Sequence, residues 1–244
     1  MDKFHKTNEI VLNIGTYNIA GGRQVNRDLR VIADDILEQE LDIVGIQEVD
    51  LNAGRSGYID MMKLLSEYTG YDYAFFKALD MSCFKDNTGD YGIGILSKYP
   101  ISNIEKTFIN EGDMSVGIES RVLGHARVDV NGTAVNFFTT HFTIRNDADR
   151  VTEFAIVSEK TKAFKNVVLT GDFNTKSFAE FDQITHLAKV NTAETPYETF
   201  PEDHRFIDNI IYSSDFTLVE NSVGMRVNDH SDHYMLYAKL KFTI

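Results

Sequence analysis

The sequence predicts an α/β fold, because segments with the periodicity of strands alternate with segments with the periodicity of helices along its 244 residues. The first strand pattern, Glu9–Asn18, places Ile10, Leu12, Ile14 and Thr16 on one face. Asn131-Gly132 separates two later strand patterns and is typical of a β-hairpin with a type I′ turn. No linker composition interrupts the chain, so we expect one domain over residues 1–244, with residues 1–8 as a polar N-terminal extension.

After this first strand, the first half of the chain contains two predicted helices and two further strands. The apolar side of the first helix consists of Leu29, Ile32, Ala33, Ile36 and Leu37, and its polar side of Asp28, Asp34 and Asp35. The apolar stripe of the second helix consists of Met61, Met62, Leu65 and Tyr68, and Gly70 can end it. Short apolar runs predict buried strands at residues 42–47 and 92–97, the second stopped by Pro100.

The second half of the chain is predicted in the same way. The arms of the hairpin are Arg121–Val130 and Thr133–His141. A helical pattern covers residues 147–164, and the apolar run 166–170 predicts the next buried strand. A further helix is marked by Phe178, Phe181, Ile184 and Leu187. Two late strands are predicted over residues 206–212 and 234–242.

The composition excludes several classes of protein. No apolar run approaches the roughly 20 residues that a membrane-spanning helix needs, and the polar N-terminus does not resemble a signal peptide. A single cysteine excludes a framework of intramolecular disulfides. The 24 Lys and Arg against 37 Asp and Glu give a net charge of −13, which disfavours a protein that coats nucleic acid. We therefore expect a cytoplasmic monomer without a membrane span.

Polar residues repeatedly end or follow the predicted strands. They are Asn18, Gln47, Glu48, His141, Asp172, Asn174, Asp208, Asp232 and His233. Because strand ends in layered α/β folds collect at one rim, these side chains are expected to meet there. Clustered carboxylates repel one another unless a cation shares them, and oxygen ligands suit Mg²⁺ or Mn²⁺. Together with histidine, such a cluster can support metal-assisted attack of water on a phosphate ester.

Each residue also has a plainer explanation when it is considered alone. Glu48 and Asp172 have the positions of helix caps, and Asn18 is a common turn former. His141 alone is typical of a half-buried histidine with a structural hydrogen bond. Asp208 is harder to explain in this way, because a carboxylate among isoleucines needs a donor or takes a raised pKa.

Eight short segments in a fixed order resemble the endonuclease/exonuclease/phosphatase superfamily, and in particular its small bacterial metal-dependent hydrolases. The segments are TYNI (16–19), IQEV (46–49), GIGILSKYP (92–100), ESR (119–121), THF (140–142), LTGDFN (169–174), RFID (205–208) and SDH (231–233). The resemblance implies a four-layer α/β/β/α sandwich of two mixed sheets, similar to deoxyribonuclease I. It also implies that Glu48 is the principal metal ligand, with Asn18 beside it and Asp232 helping, and that Arg121 reaches towards the substrate.

The resemblance further implies the roles of five catalytic residues. Asp172 and Asn174 match the pair that positions and activates the attacking water. His141 matches the histidine that contacts the scissile phosphate or protonates the leaving oxygen, and Asp208 matches the carboxylate that orients His233. Two general bases are open at this point, since either Asp172 or the His233–Asp208 pair can accept the proton of water.

The resemblance therefore implies a Mg²⁺- or Mn²⁺-dependent phosphoesterase for a phosphodiester or a phosphomonoester. The acidic charge favours a small or lipid-derived ester, and the alternative is a nuclease acting on DNA or RNA. Ala20 stands where AP endonuclease relatives often carry an acid, which disfavours that activity. A non-catalytic binding module is a further alternative, and His230 is a candidate additional site residue. Six arginines either flank the mouth of the site or simply lie on a solvated face: Arg23, Arg27, Arg30, Arg55, Arg145 and Arg150.

Overall fold

The structure, a computed structural model, describes residues 9–84 and 88–243, so the predicted polar extension at residues 1–8 lies outside it. The strands of the first half are β1 (Glu9–Asn18), β2 (Ile43–Leu51), β3 (Asp72–Asp80), β4 (Asp90–Ser97), β5 (Ile101–Asn110) and β6 (Arg121–Val130). Those of the second half are β7 (Thr133–His141), β8 (Val167–Asp172), β9 (Ala188–Lys189), β10 (Asp208–Tyr212), β11 (Thr217–Leu218), β12 (Gly224–Arg226) and β13 (Met235–Thr243). The α-helices are α1 (Leu29–Glu38), α2 (Met61–Thr69) and α3 (Asp147–Lys162).

The strands form two mixed sheets that pack face to face. One has the order β11-β13-β1-β2-β4-β3, with β12 also paired to β13, and the other has the order β5-β6-β7-β8-β10-β9. Apolar side chains of both sheets, such as Ile14 and Phe137, fill the space between them. The helices α1 and α2 cover the outer face of the first sheet, and α3 covers that of the second. This arrangement confirms the predicted four-layer α/β/β/α sandwich.

None of the helices within residues 9–84 and 88–243 combines the length and the apolar character needed to cross a bilayer.

The strand directions bring six strands to the same edge of the sandwich. β1 runs parallel to β2, and β7 runs parallel to β8, so β1, β7 and β8 end at one rim and β2 reaches that rim at Gln47. β13 is antiparallel to β1, and β10 is antiparallel to β8. An antiparallel strand begins where its neighbour ends, and the segments that lead into β10 and β13 therefore reach the same rim.

Several predicted elements need correction. The pattern from Phe178 to Leu187 does not form an α-helix, since Phe178–Gln183 is a 3₁₀ helix; its strict spacing of three matches the 3₁₀ period. β2 does not stop at Gln47 and continues to Leu51. β3 and β5 were not predicted, and β5 is largely exposed, so it lacks the apolar run that marks a buried strand.

The predicted helix α1 also differs in which side chains it buries. Asp35, expected on its polar side, is buried, whereas Leu37, expected on its apolar side, is 39% exposed. The reason is a set of polar partners from a distant loop, described with the site below.

Candidate active site

Glu48 reaches the rim because it lies in an irregularity of β2. The register between β2 and β4 shifts between Ile46 and Val49, and Glu48 has a φ of 57°. A bulge of this kind re-aims a side chain. A non-glycine residue with positive φ costs of order 1 kcal/mol and is maintained by its surroundings, a feature that concentrates at functional sites. The strand therefore turns the Glu48 carboxylate towards the rim without ending there.

Asn18, at the end of β1, connects the two sheets across the rim. Its side-chain amide nitrogen donates to Glu48 Oε1 at 3.2 Å and to Asp172 Oδ2 at 3.0 Å. Its carbonyl oxygen accepts from the backbone N–H of Ala20 at 3.0 Å. The amide group thus presents a donor, and not its oxygen, to the two carboxylates.

The close approach of the sheets below Asn18 depends on a residue without a side chain. Gly45 of β2 faces the second sheet, where an added Cβ would collide with Thr170 Oγ1 and would also meet Thr139 Oγ1 at 2.6 Å. Gln47 lies two residues nearer the rim than Gly45, and its Nε2 donates to Thr139 Oγ1 at 3.1 Å. The small residue and this hydrogen bond hold the middle of β2 against the end of β7.

Asp172, at the end of β8, lies between two imidazole rings. Its Oδ2 is 3.5 Å from His141 Nε2 and 3.6 Å from His233 Nε2, and its Oδ1 accepts from the backbone N–H of Asn174 at 3.0 Å. Burial, followed by repulsion from Asp208, raises the pKa of Asp172 above its usual range. A carboxylate with a raised pKa in such a place is a stronger base than an exposed one.

His233 is held by a second buried carboxylate. Its Nδ1 is 2.8 Å from Asp208 Oδ2, and the Phe200 ring packs against it with centroids 4.8 Å apart. Burial by itself would lower the pKa of His233, but Asp208 and Asp172 outweigh it and raise that pKa to about 10. Both ring nitrogens face carboxylates, so the imidazolium form satisfies both. Asp208 is the first residue of β10, and not in its interior as expected.

His141, at the end of β7, has the opposite environment. Its Nδ1 is 3.1 Å from Arg121 Nη1 and 3.4 Å from the Tyr91 hydroxyl. Because a guanidinium only donates, Nδ1 is the acceptor and the ring proton lies on Nε2. Burial, then the charges of Arg121 and His233, lower the pKa of His141 well below its usual value. His141 is therefore a neutral ring whose Nε2–H faces Asp172.

Arg121 is not the solvated residue that the start of a strand would suggest. It is buried, and its Nη2 donates to Glu119 Oε2 at 2.8 Å. Among the described residues, its Nε has no hydrogen-bond acceptor. Arg121 thus sets the orientation of His141 from within the protein.

Two carboxylates at the rim converge on one cation. Glu48 Oε2 and Asp232 Oδ2 lie 3.9 Å and 3.6 Å from the same nitrogen of Arg23, and their side chains are 26% and 28% exposed. Partly exposed carboxylate oxygens around a single positive charge match the ligands that Mg²⁺ and Mn²⁺ prefer. The donor set therefore fits a hard divalent cation.

A second group of possible ligands lies deeper. Atoms of Asp172, Asp208 and His233 lie within 4.8 Å of one another, and all three residues are buried. The His233 ring stands between the two carboxylates, with Nδ1 2.8 Å from Asp208 and Nε2 3.6 Å from Asp172. A positive charge on His233 offsets one of the two carboxylates, and its ring occupies the space between them.

Asn174 turns the chain at the end of β8 and has a φ of 48°. Its Nδ2 donates to the backbone carbonyl of Phe142 at 2.9 Å, which ties the segment after β8 to the segment after β7. Its own carbonyl accepts from Arg205 Nη2 at 3.1 Å. The side chain of Asn174 therefore holds the loop beside Asp172 and His141.

The loop that carries Asp232 and His233 is fixed by Asp35, which sequence reasoning assigned to the surface. Asp35 accepts from Arg226 Nε at 3.1 Å and from Asn228 Nδ2 at 3.0 Å, and it lies 2.8 Å from His230 Nδ1 and 3.3 Å from the Tyr17 hydroxyl. His230 is thus engaged with α1 and does not join the cluster of Asp172. Arg226, Asn228 and His230 lie far from Asp35 in the sequence, so no local pattern could predict these contacts.

Of the six candidate flanking arginines, Arg23 and Arg55 line the cleft above the cluster, together with Arg121 and Arg205. Arg27, Arg30 and Arg145 are exposed and do not line it. Arg55 forms a two-pronged ion pair with Asp50, at 2.9 Å and 2.7 Å, and Asp50 was not predicted. Arg150 does not flank the mouth, because it is buried against Glu180 and Asp147.

The cleft has a volume of about 390 Å³, and Glu48, His141, Asp172, Asn174, Asp232 and His233 all line it. Asn18 and Asp208 lie behind these residues and contact them. The structure therefore brings the predicted catalytic and metal-binding residues to one place, together with Arg121, whereas His230 and Arg150 lie outside the cleft.

The fold defines the chain as a deoxyribonuclease I-like α/β sandwich. The sequence model of the Endonuclease/Exonuclease/phosphatase family matches residues 15–233, and the chain belongs to this family. The match confirms the resemblance found in the sequence. No curated protein sequence gives a significant match.

Solved structures show the same fold at low sequence identity. An endonuclease/exonuclease/phosphatase from Beutenbergia cavernae is 22% identical with a TM-score of 0.72, over 95% of this chain and 72% of that one. A mannosyl-6-phosphatase of Bacteroides thetaiotaomicron is 20% identical with a TM-score of 0.66, over 94% and 99%. TDP2 of D. rerio, complexed with a single-strand DNA product, is 18% identical with a TM-score of 0.69, over 94% and 98%.

Proposed function

We propose that this protein is a divalent-metal-dependent phosphoesterase that hydrolyses a small phosphate ester by in-line attack of water. The observation that carries the proposal is the position of Asp172. Its carboxylate faces the cleft between two histidines of different charge, 3.5 Å and 3.6 Å away. Membership of a family of phosphatases and nucleases supports the same chemistry.

The two carboxylates that converge on Arg23, Glu48 and Asp232, are the residues that would hold the metal. When bound there, Mg²⁺ or Mn²⁺ would supply positive charge that stabilises the phosphoryl group. Asn18 donates a hydrogen bond to Glu48, so we infer that it orients this ligand. Asn18 remains a predicted ligand only through its carbonyl oxygen, which the Ala20 N–H already occupies in part.

The protein's own groups can supply the proton transfers. We infer that Asp172 accepts a proton from the attacking water, because the carboxylates of Asp208 and Asp172 on either side of His233 favour the protonated form of that ring. The water oxygen forms a bond to phosphorus as the ester P–O bond breaks. His233 gives its Nε2 proton to the leaving oxygen, while the Nε2–H of His141 and the guanidinium of Arg121 stabilise charge on the phosphoryl group.

The net charge of −13 supports a small ester over a long nucleic acid. The compared structures include both a mannosyl-6-phosphatase and a protein with bound DNA product, so the fold serves both kinds of ester. Hydrolysis of DNA or RNA is the second candidate function.

The test is a substrate panel of nucleotides, sugar and inositol phosphates, bis-p-nitrophenyl phosphate, RNA and plasmid DNA, with Mg²⁺ or Mn²⁺. We expect at least one small ester to be hydrolysed about a hundredfold faster by the native protein than by Asp172→Asn. Asp129→Asn makes the same chemical change beside the hairpin turn, roughly 25 Å from the rim at about 3.3 Å per strand residue, and should retain native activity. Equal rates for Asp172→Asn and the native protein on every ester would leave a non-catalytic module as the function.

A further inference from the structure

A second pocket lies beside the catalytic cleft and shares one wall with it. It is formed by the segment after Asn174 and by residues 204–206, and its volume is about 500 Å³. This volume falls in the range of roughly 300–1,000 Å³ that is typical of ligand pockets. Arg205 lines both this side pocket and the cleft. A ligand whose phosphate occupies the cleft can therefore extend past Arg205 into the side pocket.

The floor of the side pocket is aromatic. The rings of Phe178 and Phe206 have centroids 5.6 Å apart and planes tilted by 46°. Both side chains are only half-buried, although they lie next to each other. Two neighbouring aromatic faces that remain open to a pocket are suited to contact with a flat, apolar surface.

Arg205 is fixed in the wall between the two spaces. Its Nη2 donates to the carbonyl of Asn174 at 3.1 Å, and its guanidinium lies 6.0 Å from the Phe200 ring, which packs against His233. A planar guanidinium can bind a phosphate with its edge and stack on a ring with its face. Arg205 is thus placed to contact both parts of one substrate.

The rim of the side pocket is polar, which distinguishes between two possible occupants. Thr175, Lys176, Ser177 and His204 line it together with the phenylalanines, and His204 already pairs with Glu198. An alkyl chain would cover the hydroxyls of Thr175 and Ser177 without giving them a hydrogen-bond partner, which is costly. A planar heteroaromatic ring has apolar faces for the floor and hydrogen-bonding edges for the rim.

We propose that the side pocket binds the nucleobase of a nucleotide ester whose phosphate lies in the catalytic cleft. This inference rests on the proposed function and narrows its substrate class to small nucleotide phosphoesters. Stacking of the base on Phe178 and Phe206 supplies the affinity. Arg205 lines both spaces and contacts the base on one side and the phosphate on the other.

The inference can be tested by calorimetry with a matched pair of ligands, adenosine 5′-monophosphate and ribose 5-phosphate, which differ by the base. The full chain with Asp172→Asn and Mg²⁺ prevents turnover during the titration. We expect the nucleotide to bind about tenfold tighter or more, as base–aromatic stacking provides. Phe206→Leu and Phe178→Leu keep an apolar side chain but remove a ring. Each should lower the preference for adenosine 5′-monophosphate over ribose 5-phosphate to below about threefold, while the affinity for ribose 5-phosphate stays unchanged.

Phe108→Leu on β5 is the matched control, because Phe108 is 40% exposed and lines neither the catalytic cleft nor the side pocket. Equal affinities for the two ligands would overturn the inference, and so would a ratio of affinities that falls in Phe108→Leu but not in Phe206→Leu. Octyl phosphate tests the other occupant. If it binds tighter than adenosine 5′-monophosphate, and Phe206→Leu abolishes this advantage, the side pocket binds an alkyl chain and the inference is overturned. These binding results do not depend on hydrolysis, so failure of the proposed function appears separately, in the substrate panel.

Discussion

Replacing Asp208 with asparagine removes the negative charge beside His233 and keeps the shape of the side chain. Asp208 Oδ2 lies 2.8 Å from His233 Nδ1, and both residues are buried. A hydrogen bond to a charged group contributes about 1.5–3 kcal/mol, and each 1.4 kcal/mol in a barrier is a factor of about ten. We therefore expect kcat to fall by about 10- to 100-fold if the charged ring acts in the transition state, with KM little changed.

The stability of this variant should change in a different way. In the native cluster the His233 imidazolium faces two carboxylates, Asp208 and Asp172, and the second Asp208 oxygen has no donor among the described residues. Asp208→Asn leaves the imidazolium of His233 and the carboxylate of Asp172, and the repulsion between the two carboxylates is removed. The midpoint of thermal unfolding should therefore not decrease, although activity does.

The assay is steady-state kinetics on the best ester of the panel, with circular dichroism to measure the folded fraction. In proton NMR, the native protein should show a downfield Nδ1–H resonance of His233 that Asp208→Asn loses. Asp129→Asn again serves as the control. Native kcat in folded Asp208→Asn would refute the assignment of Asp208 as the positioning residue for a catalytic His233.

Two further predictions concern the metal and the pH dependence of stability. Glu48→Gln should weaken Mn²⁺ binding, measured by calorimetry, by about tenfold or more, because a neutral amide replaces a charged oxygen ligand. Burial raises the pKa of Glu153 from 4.5 to about 7. Between these values the folded chain holds a proton that the unfolded chain has released, so stability falls as pH rises from about 4.5 to 7 and this loss is complete above 7. The native chain should therefore lose up to about 3 kcal/mol more of its free energy of unfolding between pH 5 and pH 8 than Glu153→Gln does. Urea denaturation of both proteins at the two pH values measures this difference.

Each of these predictions has a clear negative result. Unchanged Mn²⁺ affinity in Glu48→Gln, with Glu67→Gln on α2 as the exposed control, would remove Glu48 from the ligands. Glu153 accepts from the Thr143 N–H at 3.0 Å and from Asn110 Nδ2 at 3.2 Å, and a glutamine can keep the first of these bonds. An identical difference in stability between pH 5 and pH 8 in the native chain and in Glu153→Gln would show that the carboxyl group titrates normally.

Local pattern predicted the strand ends that reach the rim. Asn18 and His141 end two predicted strands and Asp172 follows a third, and in the structure these residues end β1, β7 and β8, within two residues of the predicted ends. The apolar runs were long enough to identify these buried strands because each had to be covered on both faces. β5 lies at the edge of its sheet and is mostly exposed, so its sequence carries no comparable signal.

Glu48 shows where local pattern becomes insufficient. Its residue type and its place after an apolar run were visible, but the strand continues through it with a shifted register and a φ of 57°. Whether a chain ends or bulges at such a point depends on its pairing with β4, which lies some forty positions further along. The pairing of β2 with β4, and not the local sequence, therefore sets the direction of the Glu48 carboxylate.

The sequence by itself determined the kinds of chemical group at the rim, since carboxylates, amides and histidines recur wherever an apolar strand ends. Only the tertiary structure decided their charge and their partners. Asn18 reaches Asp172 across 154 positions of sequence, and Asp35 holds the loop before His233 from a separate helix. The two histidines are chemically identical in the chain, yet His141 faces an arginine and His233 faces two carboxylates. Charge at a buried group depends on what is packed around it, and that packing exists only after the two sheets have met.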